Sequence, residues 1–319
     1  MRKKTGFILG VILLLVALLA GCGNQTTSSG DSSSAASSQA AKPAAADNAA
    51  VPEGKVIIKM LNVGQGDSVL IQTAEQTVLI DTSDVDERDK LQRELEKAGV
   101  SKIDKVILTH PHADHIGGMD VVLSKYEVKA VYDNGMPSTS KLYRSYMKTL
   151  KAKGIEHKGL KAGDELDFGS GAKFKVLWPS ADLVQQGSQK GYKHDPNNES
   201  VVGRLTFGQF SMMFTGDAEK EAEKQVLAMY AGEIHSTVLK SGHHGSKTSS
   251  SADFLRAVRP ETALISCGQG NDYGHPHKET MKKYHAMKLK IYETDRNGTI
   301  TVTTDGQGYE VKPEAGEAQ

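Results

Sequence analysis

Three histidines and one aspartate stand close together in Thr109-His110-Pro111-His112-Ala113-Asp114-His115, which runs on into Ile116-Gly117-Gly118. Neutral imidazoles and a carboxylate are the donors of zinc, manganese and iron sites, and a set this closely spaced can serve two adjacent metals. The stretch follows Lys105-Val106-Ile107-Leu108, an apolar, β-branched run that reads as a buried strand. Ligands on the loop leaving such a strand have a rigid support. A merely solvated polar loop rarely concentrates so many of them.

Further chemistry-bearing residues recur at strand ends. Gln209–Phe214 reads as a strand and runs into Thr215-Gly216-Asp217, whose carboxylate has two oxygens and can bridge two cations. Gly-Asp after a strand is by itself an ordinary turn, and it gains weight by following the histidine motif by about one hundred residues. The strand Ser236–Lys240 leads to Ser241-Gly242-His243-His244-Gly245-Ser246. Neighbouring side chains leaving a strand diverge, so one histidine is expected to be a ligand and the other to face the substrate. Asn62-Val63-Gly64-Gln65-Gly66-Asp67 has two glycines that let the backbone approach something closely. No Gly-x-Ser-x-Gly and no Cys/His arrangement of comparable quality is present. Water activated by metal therefore replaces a side-chain nucleophile in this reading. Two cations lower the pKa of a water held between them and stabilise in-line displacement at phosphorus.

His-x-His-x-Asp-His followed by Gly-Gly resembles the signature of the metallo-β-lactamase-fold hydrolases. The stretch Asn62–Asp67 narrows the likeness to the branch that includes the C-terminal hydrolase domain of ComEC-type DNA-uptake proteins. Over about 55–312 the resemblance implies a single α/β domain, an αββα sandwich, holding two divalent metal ions, Zn or Mn. His110 and His112 would hold one ion; Asp114, His115 and one of His243 and His244 the other; Asp217 would bridge them. His244 is favoured as ligand because His-Gly follows the family's last-histidine pattern, leaving His243 for a leaving group or phosphate. Asp67 would sit near the metals, completing with Asp114, His243 and Asn198 the catalytic set. Ser246 and His275 are candidates for substrate contact, and Asn198 and Ser200 for contact with the substrate or with the ligands behind it. The chain departs from the wider superfamily in lacking an isolated histidine between the first motif and Thr215-Gly216-Asp217; the region of Asn198 stands there.

The implied function is a metal-dependent phosphodiesterase, a competence-related nuclease acting on DNA. The alternative is a hydrolase of other phosphodiesters or esters, such as cell-wall phosphocholine; a non-catalytic surface protein keeping a structural metal is the third class. DNA or another phosphodiester is the expected partner, and the residues point to no protein partner.

The elements that must position these groups follow from periodicity. Lys55–Asn62, Asp67–Thr73 and Gln76–Asp81 read as successive strands, and Asp86–Ala98 as an amphipathic helix on Leu91 and Leu95, closed by Gly99. The metal loop leaves strand 104–109, and His115–Tyr126 reads as a helix beneath it, with Gly117 and Gly118 allowing close packing. Glu127–Asp133, Ala172–Trp178, Val201–Phe207, 262–267, Gly298–Thr303 and Tyr309–Lys312 supply further strands. Helices are expected over Lys141–Lys153, Ala218–Tyr230 and from about His277. The basic face of Lys141–Lys153 reads as a solvated face, with a nucleic-acid footprint as the minority alternative. Residues 182–199, rich in Gln, Gly, Lys and Asn, read as a mobile surface loop in which His194 is a loop histidine.

The N-terminus bears on location. Arg2-Lys3-Lys4 precedes an apolar run of 14 residues from Phe7 to Ala20, which suits a signal-peptide core better than a membrane span. Leu19-Ala20-Gly21-Cys22 resembles a lipobox, so residues 1–21 are expected to be cleaved and Cys22 to carry the lipid; an uncleaved anchor helix is the alternative. Either way the body is extracytoplasmic, touching the bacterial cell membrane only through its anchor. Residues 22–50 read as the lipidated cysteine and a disordered Ser/Ala-rich tether with a reach of roughly 30 Å. Residues 51–312 would form the hydrolase domain, and 313–319 a loose tail. With Cys22 lipidated, Cys267 has no intramolecular partner and reads as a small core residue. Removing Arg2, Lys3 and Lys4 from 39 basic residues leaves 36 against 39 acidic ones. No global basic field gathers nucleic acid, so DNA binding needs a local patch.

Overall fold

The structure, a computed structural model, describes residues 48–319. The leader, Cys22 and most of the tether lie outside the described residues, and no described helix is long and apolar enough to cross a membrane.

Alternation within the strands builds two sheets. The first opens with β1 (Val56–Met60), β2 (Val69–Gln72), β3 (Thr77–Ile80), β4 (Lys102–Ile107), β5 (Glu127–Asp133) and β6 (Glu156–Gly159). The second holds β7 (Glu165–Asp167), β8 (Lys173–Trp178), β9 (Val202–Phe207), β10 (Phe210–Phe214), β11 (Val238–Lys240), β12 (Thr262–Ile265) and β13 (Lys290–Glu293). The chain then returns to the first sheet with β14 (Ile300–Thr304) and β15 (Tyr309–Pro313), giving the order β15-β14-β1-β2-β3-β4-β5-β6; the second sheet runs β13-β12-β11-β10-β9-β8-β7. Strands β3 to β6 pair in parallel, as do β10 to β13.

Successive side chains of a strand face opposite ways. On β3, Val78 and Ile80 enter the core between the sheets, where they share one apolar cluster with Phe174, Met212 and Leu264. Leu79 faces outward and packs with Leu91 and Leu95 of α1 (Arg88–Lys97). That outer layer also takes α2 (Ala113–Ile116), α3 (Met119–Lys125) and α4 (Lys141–Lys153). Behind the second sheet, Met213, Leu239 and Ala263 meet α6 (Lys220–Tyr230), α7 (Ala252–Val258) and α8 (Lys278–Ala286); α5 (Ala181–Gly187) precedes these and α9 (Thr294–Asn297) follows. Helix, sheet, sheet, helix is the expected four-layer sandwich in one domain.

Local signals explain most boundaries. The Ser140 hydroxyl accepts from the Tyr143 N–H at the start of α4, and Gly154 stops that helix in the left-handed conformation. Several expectations change. The helix foreseen over His115–Tyr126 is broken into α2 and α3 at Gly117-Gly118, whose N–H groups turn aside to Ser83 O and Thr82 O. A Cβ on Gly117 would lie 2.3 Å from Val85 N, and one on Gly118 2.2 Å from Thr82 O, so the bare backbone is what brings these segments together. Residues 182–199 are not one long loop: they contain most of α5, and the Glu199 carboxylate pins the remainder, meeting His194 Nδ1 at 3.0 Å and the Asp195 N–H at 2.9 Å. Residue 48 is already held in place: Asn48 Oδ1 accepts from the N–H groups of Ser101 (2.6 Å) and Lys102 (2.9 Å). The tail is tied down too: Gln319 N donates to Ile291 O at 3.0 Å, and Asn297 Nδ2 to Ala315 O at 3.0 Å.

Candidate metal centre

The histidine loop, the β10 end and the β11 end meet where the two sheets present their strand ends. Asp114, His115, Asp217 and His244 bring one donor atom each within 4.8 Å of all the others. Asp217 Oδ2 is the hub, 3.3 Å from His115 Nε2, 3.6 Å from His244 Nε2, 3.8 Å from His243 Nε2 and 3.9 Å from His110 Nε2. Asp114 Oδ2 lies 3.3 Å from His244 Nε2. Beside this group His110 Nε2 and His112 Nδ1 face each other at 3.0 Å. Asp114, His115, Asp217 and His244 thus form one candidate ligand set, and His110 and His112 stand beside it, with His110 Nε2 3.9 Å from Asp217.

Each inner imidazole is aimed by a bond on its other nitrogen. His115 Nδ1 lies 2.8 Å from Asp81 Oδ2, and Asp81 is itself held by the Thr109 N–H (2.7 Å) and hydroxyl (2.8 Å). His244 Nδ1 donates to Ser266 O at 2.9 Å. Such outer contacts set the tautomer and leave Nε2 directed inward.

The buried atoms fit a cation. His115 Nε2, His244 Nε2 and Asp217 Oδ1 are sealed from solvent and make no hydrogen bond, an arrangement that is costly unless another partner takes them. Imidazole nitrogens with carboxylate oxygens are the donor set of zinc, manganese or iron. The field agrees. Burial disfavours charge on His244, but Asp217 and Asp67 outweigh it and raise its pKa to about 10. Burial would likewise raise the Asp114 carboxyl, and the charges of His115 and His244 hold it below the usual range instead. A pocket that draws positive charge so strongly draws a divalent ion for the same reason.

A cavity of about 330 Å³ opens over this centre, lined among others by Asp114, Asn197, Asp217, His243, His244 and His275. His243 reaches it with a part-exposed ring whose Nδ1 is held by Glu219 Oε1 (3.1 Å) and Thr248 Oγ1 (3.2 Å). His243 and His244 both adopt left-handed backbone angles, and their rings separate to 6.2 Å.

The remaining candidates take different places. Asn198 does not line the cavity: its Oδ1 accepts from the Glu219 (3.2 Å) and Ala222 (3.1 Å) N–H groups, covering the start of α6. Its neighbour Asn197 does line it, with Oδ1 buried and unpartnered. Ser200 is fully buried and accepts from the Asp217 N–H at 3.2 Å, so it positions the carboxylate instead of touching substrate. Ser246 is spent on Thr248. Asp67 lies behind the histidines, in contact with Lys240 Nζ and 3.6 Å from His244 Nδ1. His275 is at the cavity as expected. Asp81, Asn197 and Lys240 also belong to the site, though no motif in the sequence singles them out. A lysine closing the apolar run Val238-Leu239-Lys240 was the available signal for the last.

Residues 61–269 match the family model described as the metallo-beta-lactamase superfamily. The chain is 34% identical over 270 residues to ComE operon protein 3 of Bacillus subtilis, covering 78% of this chain and 33% of that protein. It is 33% identical over 256 residues to competence protein ComA of Neisseria gonorrhoeae, covering 79% of this chain and 33% of that one. The chain thus spans about a third of the length of these relatives. Among solved structures it is similar to the metallo-beta-lactamase fold protein YhfI of Bacillus subtilis, with a TM-score of 0.48 and 13% identity over 75% of this chain and 96% of that one. By the family model that spans most of the described residues, the chain belongs to the metallo-beta-lactamase superfamily and is a metal-dependent hydrolase.

Proposed function

We propose that the protein is a phosphodiesterase that cleaves DNA, held outside the cytoplasm by a lipid on Cys22. The observation that carries the chemistry is the convergence of Asp114, His115, His244 and Asp217 beneath an open cavity lined by no serine, threonine or cysteine. The Cys267 thiol is buried, and burial with the charges of Asp295 and Glu293 raises its pKa, so it stays protonated. Likeness to a competence protein and to the ComE operon protein supports DNA as the phosphodiester.

His110, His112, Asp114, His115, Asp217 and His244 would hold divalent ions, which when bound supply Lewis-acid polarisation of the phosphate and a more acidic water. The chain's own groups do the rest. Asp81 and Ser266 keep the imidazoles of His115 and His244 in register. Asn197 stands in the cavity wall with its Nδ2 donating to Glu219 Oε1 at 3.4 Å, and contacts the bound substrate from there. His243, aimed by Glu219, holds a proton at Nε2 for the departing oxygen.

Protein stripped with chelator and reloaded with Mn or Zn should regain cleavage of linear DNA and of bis-p-nitrophenyl phosphate. Hydrolysis confined to phosphocholine esters would contradict the DNA reading. For location, a clickable fatty acid should label the protein in cells and Cys22→Ala should remove the label; undiminished labelling would contradict lipid attachment there.

A further inference from the structure

Three rings climb from the floor of the centre to the surface. His244 is buried, His275 stacks over it at 6.1 Å and 20°, and Tyr273 stacks over His275 at 5.6 Å and 19°. Tyr273 is 66% exposed, and among the described residues only Met229 is another exposed large hydrophobic side chain. Tyr273 and His275 both line the cavity over the centre. His275 also borders a neighbouring cavity of about 740 Å³ whose charged lining is Lys278, Lys282 and Arg296 with Glu293 and Asp295. Arg296 lies 3.7 Å from Glu293. Lys278 and Lys282 stand four residues apart on one face of α8, both exposed, and neither has an ion-pair partner among the described residues.

A bare aromatic face at the mouth of a phosphodiester site, continued by a groove with two unpaired ammonium groups, joins a stacking platform to an electrostatic track. Resting on the DNA reading above, we propose that Tyr273 stacks a nucleobase beside the scissile phosphate of single-stranded DNA, and that Lys278 and Lys282 take phosphates further along the strand. A duplex keeps its bases paired and cannot offer one to Tyr273 without flipping it out, so single strands are the preferred form. The chain's near-neutral balance makes such a local patch necessary.

The test uses metal-loaded protein and single-stranded 12-nucleotide DNA, intact or carrying one abasic residue at successive positions, with a blunt duplex for comparison. In the wild type an abasic residue next to the cut should lower kcat/KM by about 5- to 150-fold, and the duplex should be the poorer substrate. Tyr273→Leu should abolish the abasic effect, and Tyr273→Phe should keep it. The double variant Lys278→Gln/Lys282→Gln should keep it too, while lowering the salt slope of log KM by about 1.4. Equal abasic sensitivity in wild type and Tyr273→Leu, or duplex cut as fast as single strand, would overturn the platform alone. Turnover of bis-p-nitrophenyl phosphate with no oligonucleotide cleaved would overturn the DNA reading itself, and the platform with it.

Discussion

Lys240 and Asp67 form an ion pair sealed beneath the histidines, with side chains 2% and 3% exposed. Burial works against charge on Lys240, yet Asp67 and Asp217 outweigh it and raise its pKa. The pair lies behind His244 and His115, on the side away from the cavity. Removing one partner strands a buried charge, which costs about 3–5 kcal/mol. Lys240→Met should lose stability on that scale in urea unfolding. Lys240→Met/Asp67→Leu should recover a large part of it; strictly additive losses would show that the two side chains do not act as a pair.

The two consecutive histidines should separate by role. His244, its Nε2 buried and unpartnered, should be needed for metal: His244→Ala should lower bound metal measured by mass spectrometry. His243→Ala should keep its metal and lose roughly 10²–10⁴ in rate, the range for a general acid. That defect should shrink with p-nitrophenolate leaving groups, which need no proton. The opposite pattern would exchange the roles.

Asn197 and Asn198 offer a second neighbouring pair. Asn197→Ala should raise KM with metal content intact, since the residue lines the cavity. Asn198→Ala should instead lower stability by about 0.5–2 kcal/mol, the usual value of a lost helix cap, because it leaves the Glu219 and Ala222 N–H groups without Oδ1. A KM effect confined to Asn198→Ala would restore it as the substrate contact.

These pairs show what was legible in the sequence. The loop His110–His115 could be read because its donors are contiguous, and Asp217 and His244 because each follows an apolar run at a strand end. Asp81 and Lys240 are single residues whose role exists only once β3 and β11 lie side by side with the loop. Asn198 reads equally as a substrate contact or a supporting one, because its capping of α6 depends on a helix some twenty residues away. Strands β6 and β7 escaped notice for a different reason. They are sheet-edge segments, short and largely polar, whose exposed residues dilute the alternation that marks inner strands.

One pH effect lies away from the centre. His157 Nε2 is 2.8 Å from Asp133 Oδ2, and that bond outweighs burial and raises the pKa of His157. Its contribution is complete below the unfolded value of about 6.5 and is lost as pH rises through the higher folded value. His157→Gln should remove this part of the pH dependence in denaturation between pH 6 and 8. An unchanged profile would show that the pair contributes nothing.

Asp217 lies within 3.9 Å of four imidazoles, so the account turns on it. Metal content of protein purified without chelator, measured for wild type and Asp217→Ala alongside DNA cleavage, is the most direct test. The wild-type chain should carry two divalent ions and the variant one or fewer, and the variant should cleave no DNA. Two full equivalents in Asp217→Ala, or DNA cleavage persisting there, would contradict this.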